Sequence, residues 1–206
     1  QRAFQQCAIC FAQPSDSRKR KRHFASQVFR RHTALHHKSH SGAQSLTMKL
    51  ADNTIQSLRQ HYNNTLGKLY EPGEISAMFE LTAAHYLNMN RSDVALNPKL
   101  RVNQSNLIDV YDCAKLLAKQ VPLQYILGET YFYGMTLKVG PGVLIPRPET
   151  EELVDLIVKH NKTAKSALDI GTGSGCIALG IKKKLPGATV MAIDTSQTAL
   201  QIAAGN

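Results

Sequence analysis

The stretch that decides the fold is Ser166-Ala167-Leu168-Asp169-Ile170-Gly171-Thr172-Gly173-Ser174-Gly175. A short apolar run is followed by a tight glycine-rich turn, and the pattern from Cys176 onward opens a helix. A second apolar run, from Ala188 to Ile193, ends at Asp194, and Ser196 can cap the next helix. Because a strand–helix–strand unit has a right-handed crossover, this pattern predicts two parallel neighbouring strands of an α/β sheet, the second of them buried.

The glycine-rich turn has the chemistry of a nucleotide site. Glycines let the backbone approach a ligand without obstruction by Cβ, the following helix offers free N–H groups, and an acid at the next strand end can accept both hydroxyls of a ribose. The dinucleotide spacing GxGxxG is broken at Cys176, and no Lys follows Gly175 as a phosphate-binding loop requires. Asp169 and Asp194 therefore indicate a cofactor that carries a ribose but no phosphate, S-adenosylmethionine. The alternative is a turn that serves packing only.

Residues 48–120 are predicted to form a small helical bundle. Apolar side chains recur there at helical spacing, and we interpret its aromatic and methionine residues as core rather than as a ligand-binding box. Polar residues that can accept a backbone N–H are the expected N-caps. These caps are Asp52 or Asn53 for the first helix, Ser92-Asp93 for a short segment, and Asn103 or Ser105 for the last helix.

Residues 121–145 are predicted to form a hairpin linker, because they contain β-prone stretches separated by glycines. These stretches are 125–127, 131–133 and 135–139. In the next segment, Pro146-Arg147-Pro148-Glu149-Thr150-Glu151, two prolines stiffen the backbone and Thr150 can cap a following helix. On composition alone this segment is an ordinary linker that leads into a capped helix. We place the start of the α/β domain at this segment, so that the domain occupies residues 146–206.

The N-terminal leader, residues 1–47, carries most of the charge. It holds nine Lys or Arg residues and a single acid, so it accounts for +8 of the net charge of +10. Its apolar residues follow neither a helical nor a strand period, and we expect disorder. The rest of the chain is nearly neutral, which argues against a nucleic-acid-binding protein outside the leader. The sequence contains no apolar run of the roughly 18 residues that a membrane helix needs, and its four Cys indicate a reducing compartment rather than a disulfide framework.

Four interpretations of the leader stay open. It is similar to an organelle transit peptide; its basic run from Arg18 to Arg22 can attract nucleic acid or act as a nuclear signal; and Cys7 and Cys10 with nearby His can bind zinc. We favour the fourth, in which Met48 is the natural start and the leader is upstream read-through or a cloning remnant. No metal is then expected. The compartment follows from this choice: cytoplasmic if Met48 is the start, organellar if the leader is a transit peptide.

Three segments, in their order along the chain, resemble the protein-(glutamine-N5) methyltransferases that modify peptide-chain release factors. They are PLQYILG at 122–128, IPRPETE at 145–151 and LDIGTGSG at 168–175, and the resemblance covers roughly residues 48–206. It implies a helical bundle that docks the release factor and a Rossmann-like domain that binds S-adenosylmethionine. The segment at 145–151 then belongs to the catalytic domain beside the cofactor, and the implied substrate is the glutamine of the release factor's Gly-Gly-Gln loop.

The resemblance also implies roles for the residues of the turn and the two acids. In this family the positions matching Gly171, Thr172, Gly173, Ser174 and Gly175 cradle the methionine and ribose of the cofactor. Asp194 would hold the ribose hydroxyls, and Asp169 would shape the loop. An amide nitrogen is a poor nucleophile, so catalysis is expected to come from positioning and from a dry site whose dipoles orient the amide.

The sequence departs from the family in one respect. The family carries an Asn-Pro-Pro-Tyr motif after its fourth strand, which grips the target amide, and this chain contains no such motif. Two parallel strands are also fewer than a stable sheet needs. We therefore interpret the chain as an N-terminal fragment with no catalytic residue of its own and no activity alone. Two alternatives remain: another Rossmann-type methyltransferase that acts on nucleic acid or a small molecule, and a non-catalytic module that binds a release factor or another protein.

Overall fold

The computed structural model describes residues 53–206, which form two compact units that divide between Leu127 and Gly128. The leader lies outside the described residues, and so do Asp52 and Met48. The predictions of leader disorder, transit function, zinc binding and nucleic-acid binding therefore stay predictions.

The first unit is a helical bundle, as the apolar spacing predicts. Its helices are α1 (Ile55–Leu66), α2 (Pro72–Leu87), α3 (Arg91–Leu96), α4 (Gln104–Ala118) and α5 (Leu123–Leu127). The bundle has its own apolar core, and its largest fully buried side chains include Tyr62 and Phe79. Their rings meet edge to face with centroids 5.1 Å apart, which confirms that these two aromatic residues are core.

The caps of the helical unit differ from the predictions at two helices. Helix α1 is capped by Thr54, whose hydroxyl accepts from the Ser57 N–H, because the Asn53 amide instead donates to the Val102 carbonyl at 2.8 Å. Helix α3 is capped by Asn90 in a reciprocal capping box with Asp93, so Ser92 lies inside the helix. For α4, one of the two predicted caps is confirmed: Asn103 accepts from the Asn106 N–H at 2.9 Å.

His61 on α1 packs against Tyr111 on α4, and their ring centroids lie 4.1 Å apart. Burial of the imidazole, with the charge of nearby Lys115, lowers the pKa of His61 from its usual 6.5. The unfolded chain therefore binds a proton at a higher pH than the folded chain does. Stability that depends on neutral His61 is present above pH 6.5 and is lost as the pH falls toward the lowered folded pKa.

We expect the thermal midpoint of the protein to fall between pH 7.5 and pH 5.5, and the fall to be smaller in a His61→Gln variant. Glutamine keeps a polar planar group beside Tyr111 and Thr65 but has no charge to gain. Thermal unfolding followed by circular dichroism at both pH values measures the difference. Equal pH dependence in the two proteins would contradict the assignment to His61.

The second unit contains the predicted hairpin and the predicted strand–helix–strand pattern. Its elements are β1 (Glu129–Phe132), β2 (Met135–Lys138), α6 (Pro148–His160), β3 (Ser166–Ile170), α7 (Cys176–Lys184), β4 (Thr189–Ile193) and α8 (Gln197–Ala204). Strands β1 and β2 pair antiparallel. Strands β3 and β4 pair in parallel with Asp169 opposite Ala192, and this confirms the parallel pair.

The β-prone stretch at 125–127 is not a strand, so this prediction is wrong. The N–H groups of Tyr125 and Ile126 donate to the Pro122 carbonyl and close a helical turn within α5. Leu123 and Ile126, three residues apart, are both buried in the core of the helical unit. Burial of these two side chains on one helical face outweighs the weak strand propensity of the sequence.

The hairpin turn consists of Tyr133 and Gly134, with φ of 51° and 71°. Two central residues with positive φ match the twist of the flanking strands, but the conformation is unfavourable for Tyr. It is held from both sides: the Tyr133 N–H donates to Glu151 at 2.7 Å, and the Lys183 ammonium donates to the Tyr133 and Gly134 carbonyls at 3.0 Å. The Tyr133 hydroxyl also donates to Asp155, so the hairpin is fastened to α6 and α7.

Helix α6 begins at Pro148, so Thr150 is not its cap. Proline suits the first helical position because its fixed φ is helical and its missing N–H needs no partner. Thr150 lies within the first turn, where its N–H donates to the Arg147 carbonyl at 3.0 Å.

The prediction that the second strand of the α/β unit is buried is wrong for the described residues. Along β3 and β4 side chains alternate between half-buried and exposed. One face packs through Ala167 and Val190 against the apolar cluster of Phe132, Val154 and Ile181. The other face exposes Leu168, Ile170, Met191 and Ile193, with between 42% and 73% of each side chain accessible. A parallel sheet is buried only when both of its faces are covered.

Between residues 53 and 206 none of the helices combines the length and the apolar character that a membrane span requires.

Candidate cofactor site

The glycine-rich turn connects the end of β3 to the start of α7. Gly171, Gly173 and Gly175 all have positive φ, at 77°, 56° and 83°. A Cβ added at Gly171 or Gly173 would meet nothing within 4 Å, whereas one at Gly175 would come within 3.3 Å of the Ala203 Cβ on α8. Gly175 therefore allows two helices to pack closely, and the first two glycines border open space that a ligand can enter.

Backbone hydrogen bonds place the turn across the ends of both strands. The N–H groups of Gly171 and Thr172 both donate to the Ile193 carbonyl, at 2.8 and 3.0 Å, and this carbonyl ends β4. Within the turn, the Gly175 N–H donates to the Thr172 carbonyl at 2.8 Å. The Ile193 carbonyl was absent from the sequence prediction, because a backbone group leaves no signal in residue identity.

Asp169 lies beneath the turn and connects its two ends. One carboxylate oxygen accepts from the Thr172 hydroxyl at 2.7 Å and from the Ala178 N–H at 3.3 Å, in the first turn of α7. A carboxylate near a helix N-terminus is favoured by the helix dipole. The Thr172 side chain is buried and its hydroxyl is engaged with Asp169, so Asp169 is positioned to hold the shape of the turn.

Asp194 lies just beyond β4 and faces the same turn. Its Oδ1 accepts from the Ser196 N–H at 2.8 Å and its Oδ2 from the Gly173 N–H at 2.9 Å. These hydrogen bonds, that of Ser196 first, lower the pKa of Asp194 below its usual value, so the group is an anion at neutral pH. Each carboxylate oxygen has two acceptor positions. The Ser196 and Gly173 N–H groups occupy two of these four positions and the Thr195 N–H also acts on the carboxylate, so acceptor capacity remains for a hydroxyl group of a ligand.

The predicted cap of α8 is confirmed, and it lies beside this acid. The Ser196 hydroxyl accepts from the Ala199 N–H at 3.2 Å, and this begins helix α8 two residues beyond Asp194. Asp194 is thus held between a helix start and the glycine-rich turn, and its two oxygens point to different backbone donors.

The residues fit a ligand that carries a ribose. Open space borders Gly171 and Gly173, and Asp194 offers acceptors suited to two neighbouring hydroxyls. The Ser174 side chain is buried within the turn, next to the Cys176 thiol with which its hydroxyl interacts. Among residues 53–206, no group of three or more His, Cys, Asp or Glu side chains could hold a metal ion.

Of the seven predicted cofactor residues, five form the glycine-rich turn, and the other two, Asp169 and Asp194, accept hydrogen bonds from it. Asn206, which the sequence did not single out, joins them: its side-chain amide donates to the Ser174 carbonyl at 2.8 Å. Fold and site together define the start of a methyltransferase-like α/β domain that follows a helical domain.

Comparisons with known proteins agree with this class. Residues 57–128 match the family model of the PrmC N-terminal domain, and residues 148–206 match the family model of the methyltransferase small domain. The first match covers most of the helical unit, and the second covers the α/β unit from α6 onward, without the hairpin.

Several curated proteins named release factor glutamine methyltransferase are similar to the chain. The one from Flavobacterium psychrophilum is 41% identical over 157 residues, which is 74% of this chain and 55% of that protein. The one from Bacteroides thetaiotaomicron is 42% identical over 152 residues, with the same shares. The one from Streptococcus pneumoniae is 43% identical over 152 residues, 72% of this chain and 54% of that protein. The chain thus spans about half the length of these relatives, and its resemblance to the release factor glutamine methyltransferases is confirmed.

Proposed function

We propose that the protein binds S-adenosylmethionine in the glycine-rich turn and serves the N5-methylation of a glutamine in peptide-chain release factors. The observation that carries the proposal is the placement of Asp194, an anion with remaining acceptor capacity beside the open side of Gly171 and Gly173. The relatives named as release factor glutamine methyltransferases support the substrate class. The target is then the glutamine of the Gly-Gly-Gln loop.

Each residue of the turn has a defined role in this proposal. Gly171, Gly173 and the intervening Thr172 bring the backbone close to the methionine and ribose, and Ser174 and Gly175 complete the cradle at the start of α7. Asp194 accepts the two ribose hydroxyls. Asp169 keeps the turn in shape through Thr172 and Ala178. When bound, S-adenosylmethionine supplies the electrophilic methyl group, and the residues of the turn orient it.

The helical unit is proposed to dock the release factor. It has a separate apolar core and matches the PrmC N-terminal domain, which supports a role of its own. The proposed compartment is the cytoplasm, which agrees with the reducing environment expected for the four cysteines of the chain. Cys113 and Cys176 are both free thiols.

Calorimetric titration of S-adenosylmethionine into the 206-residue chain tests the cofactor assignment. We expect one molecule to bind per chain, and NAD not to bind, because the dinucleotide spacing is broken at Cys176. Absence of heat with S-adenosylmethionine, from protein that circular dichroism shows to be folded, would contradict the assignment.

The chain is expected not to methylate a release factor, since it contains no Asn-Pro-Pro-Tyr motif. Incubation with a purified release factor and S-adenosylmethionine labelled in the methyl group measures this directly. Transfer of label to the release factor would show that other residues grip the amide. A pull-down without cofactor tests whether the chain docks the release factor. The methyltransferase and the alternative of a non-catalytic protein-binding module both predict docking that Asp194→Ala leaves unchanged, so the titration separates them: the non-catalytic module predicts no binding of S-adenosylmethionine.

A further inference from the structure

The side chain of Asn206 joins two parts of the α/β unit that are distant in sequence. Its Oδ1 accepts from the Lys138 N–H at 2.6 Å, and its Nδ2 donates to the Lys138 carbonyl at 3.1 Å and to the Ser174 carbonyl at 2.8 Å. Both hydrogens of the amide and its oxygen are therefore engaged. One partner lies on strand β2 of the hairpin, and the other lies in the glycine-rich turn.

The geometry of the hairpin explains why Lys138 is available to Asn206. Val139 donates its N–H to the Gly128 carbonyl across the hairpin. Along two antiparallel strands, residue pairs that hydrogen-bond to each other alternate with pairs that do not. Because Val139 bonds to Gly128, the N–H and carbonyl of the preceding residue, Lys138, face away from β1. The Asn206 amide takes the place of a neighbouring strand at this edge. The Lys138 ammonium adds a hydrogen bond to the Gly205 carbonyl at 2.8 Å.

The contact with Ser174 holds the turn at a point that the strand ends do not reach. Asp169, Asp194 and the Ile193 carbonyl hold the turn from β3 and β4, through Gly171, Thr172 and Gly173. Asn206 acts on the following residue from the end of α8, and through Lys138 it connects that residue to the hairpin.

We propose that Asn206 is a positioning residue: its amide holds the cofactor turn in place against the outer edge of strand β2. This inference rests on the proposed function, because it assigns to Asn206 an effect on S-adenosylmethionine affinity. The effect is indirect: Asn206 acts through the Ser174 carbonyl and the conformation of the turn.

Two substitutions at Asn206 test the proposal in the full chain. Asn206→Ala removes all three hydrogen bonds. Asn206→Asp keeps an acceptor for the Lys138 N–H but sets a carboxylate against the carbonyls of Lys138 and Ser174. The matched control is Asn161→Ala, since Asn161 also follows a helix and its amide donates to one carbonyl, that of Ile157, at 2.8 Å.

Two measurements are compared across these variants. Calorimetry gives the affinity for S-adenosylmethionine, which we expect to fall about tenfold in both Asn206 variants and to stay unchanged in Asn161→Ala. Amide hydrogen exchange, measured by NMR without cofactor, reports on the turn itself. The N–H groups of Gly173 and Gly175 are expected to exchange faster in the Asn206 variants, whereas a merely global loss of stability would raise exchange throughout the domain.

The outcomes separate the proposal from the proposed function. Weaker cofactor binding together with faster exchange in the turn supports the proposal. Affinity equal to that of Asn161→Ala overturns it, whatever the exchange rates. If the unsubstituted chain binds no S-adenosylmethionine, the proposed function fails, and the exchange rates alone decide whether Asn206 holds the turn. Lys138→Met gives a second route if Asn206→Ala does not fold: it removes the hydrogen bond to Gly205, keeps Asn206, and is expected to speed exchange in the turn by a smaller factor.

Discussion

Replacing Asp194 with alanine is expected to weaken S-adenosylmethionine binding about 100-fold, since the ligand loses two hydrogen bonds to a charged acceptor. The same carboxylate orders the Gly173 and Ser196 N–H groups. Its removal therefore also loosens the turn and the start of α8. Calorimetric titration measures the affinity, and Asp194→Asn, which keeps the shape and loses the charge, is expected to fall between the alanine variant and the unsubstituted chain.

The control for this prediction is Asp112→Ala. Asp112 is an acid of the helical unit that pairs with Lys115 at 2.9 Å on the surface of α4, so the same chemical change is made far from the turn in sequence. Its cofactor affinity is expected to match that of the unsubstituted chain. If Asp194→Ala and Asp112→Ala bind S-adenosylmethionine equally well, Asp194 does not hold the ribose.

The protonation of Asp194 also gives the stability of the protein a pH dependence with a definite sign. Hydrogen bonds from Ser196 and Gly173 lower its pKa, so the anion persists as the pH falls through the usual titration range of Asp. The contribution of this group to stability is present above its unfolded pKa of 3.8 and is lost as the pH falls through the lower folded pKa.

Replacing Gly173 with valine is expected to abolish measurable cofactor binding. The φ of 56° at Gly173 is a left-handed conformation, and holding a β-branched residue there costs on the order of 1–3 kcal/mol. The new side chain would also enter the space that is open beside the glycine. Calorimetry and thermal unfolding together separate the two effects, because strain lowers the thermal midpoint and obstruction lowers affinity alone.

Gly187→Val is the matched control for this glycine. A Cβ at Gly187 also meets nothing within 4 Å, but Gly187 is not among the residues with positive φ. The same atoms are therefore added to open space without strain, in the turn between α7 and β4. Binding by Gly173→Val as tight as by Gly187→Val would show that the turn does not form the cofactor site.

Elements whose cause is local could be predicted from the sequence. Each strand of the parallel pair, the glycine-rich turn, the hairpin around Gly134 and the caps at Asn103 and Ser196 depend on residues within a few positions of one another, and the parallel pairing follows from the right-handed crossover. The spacing of the two acids likewise brought Asp169 and Asp194 to the same turn, because parallel strands end at the same edge of a sheet.

The sequence by itself determined the helical character of the first unit, the strand–helix–strand order of the second and the residues of the turn, since apolar period, glycine spacing and capping are short-range properties. Only the tertiary structure decided that 125–127 is helical, that one face of β3 and β4 is exposed, and that Asn206 bonds to Lys138 and Ser174. Each of these depends on which surfaces meet. Asn206 and Lys138 are 68 residues apart. Because a side-chain amide can donate to or accept from any backbone group within reach, its partners follow from the packing of α8 beside the hairpin and the turn.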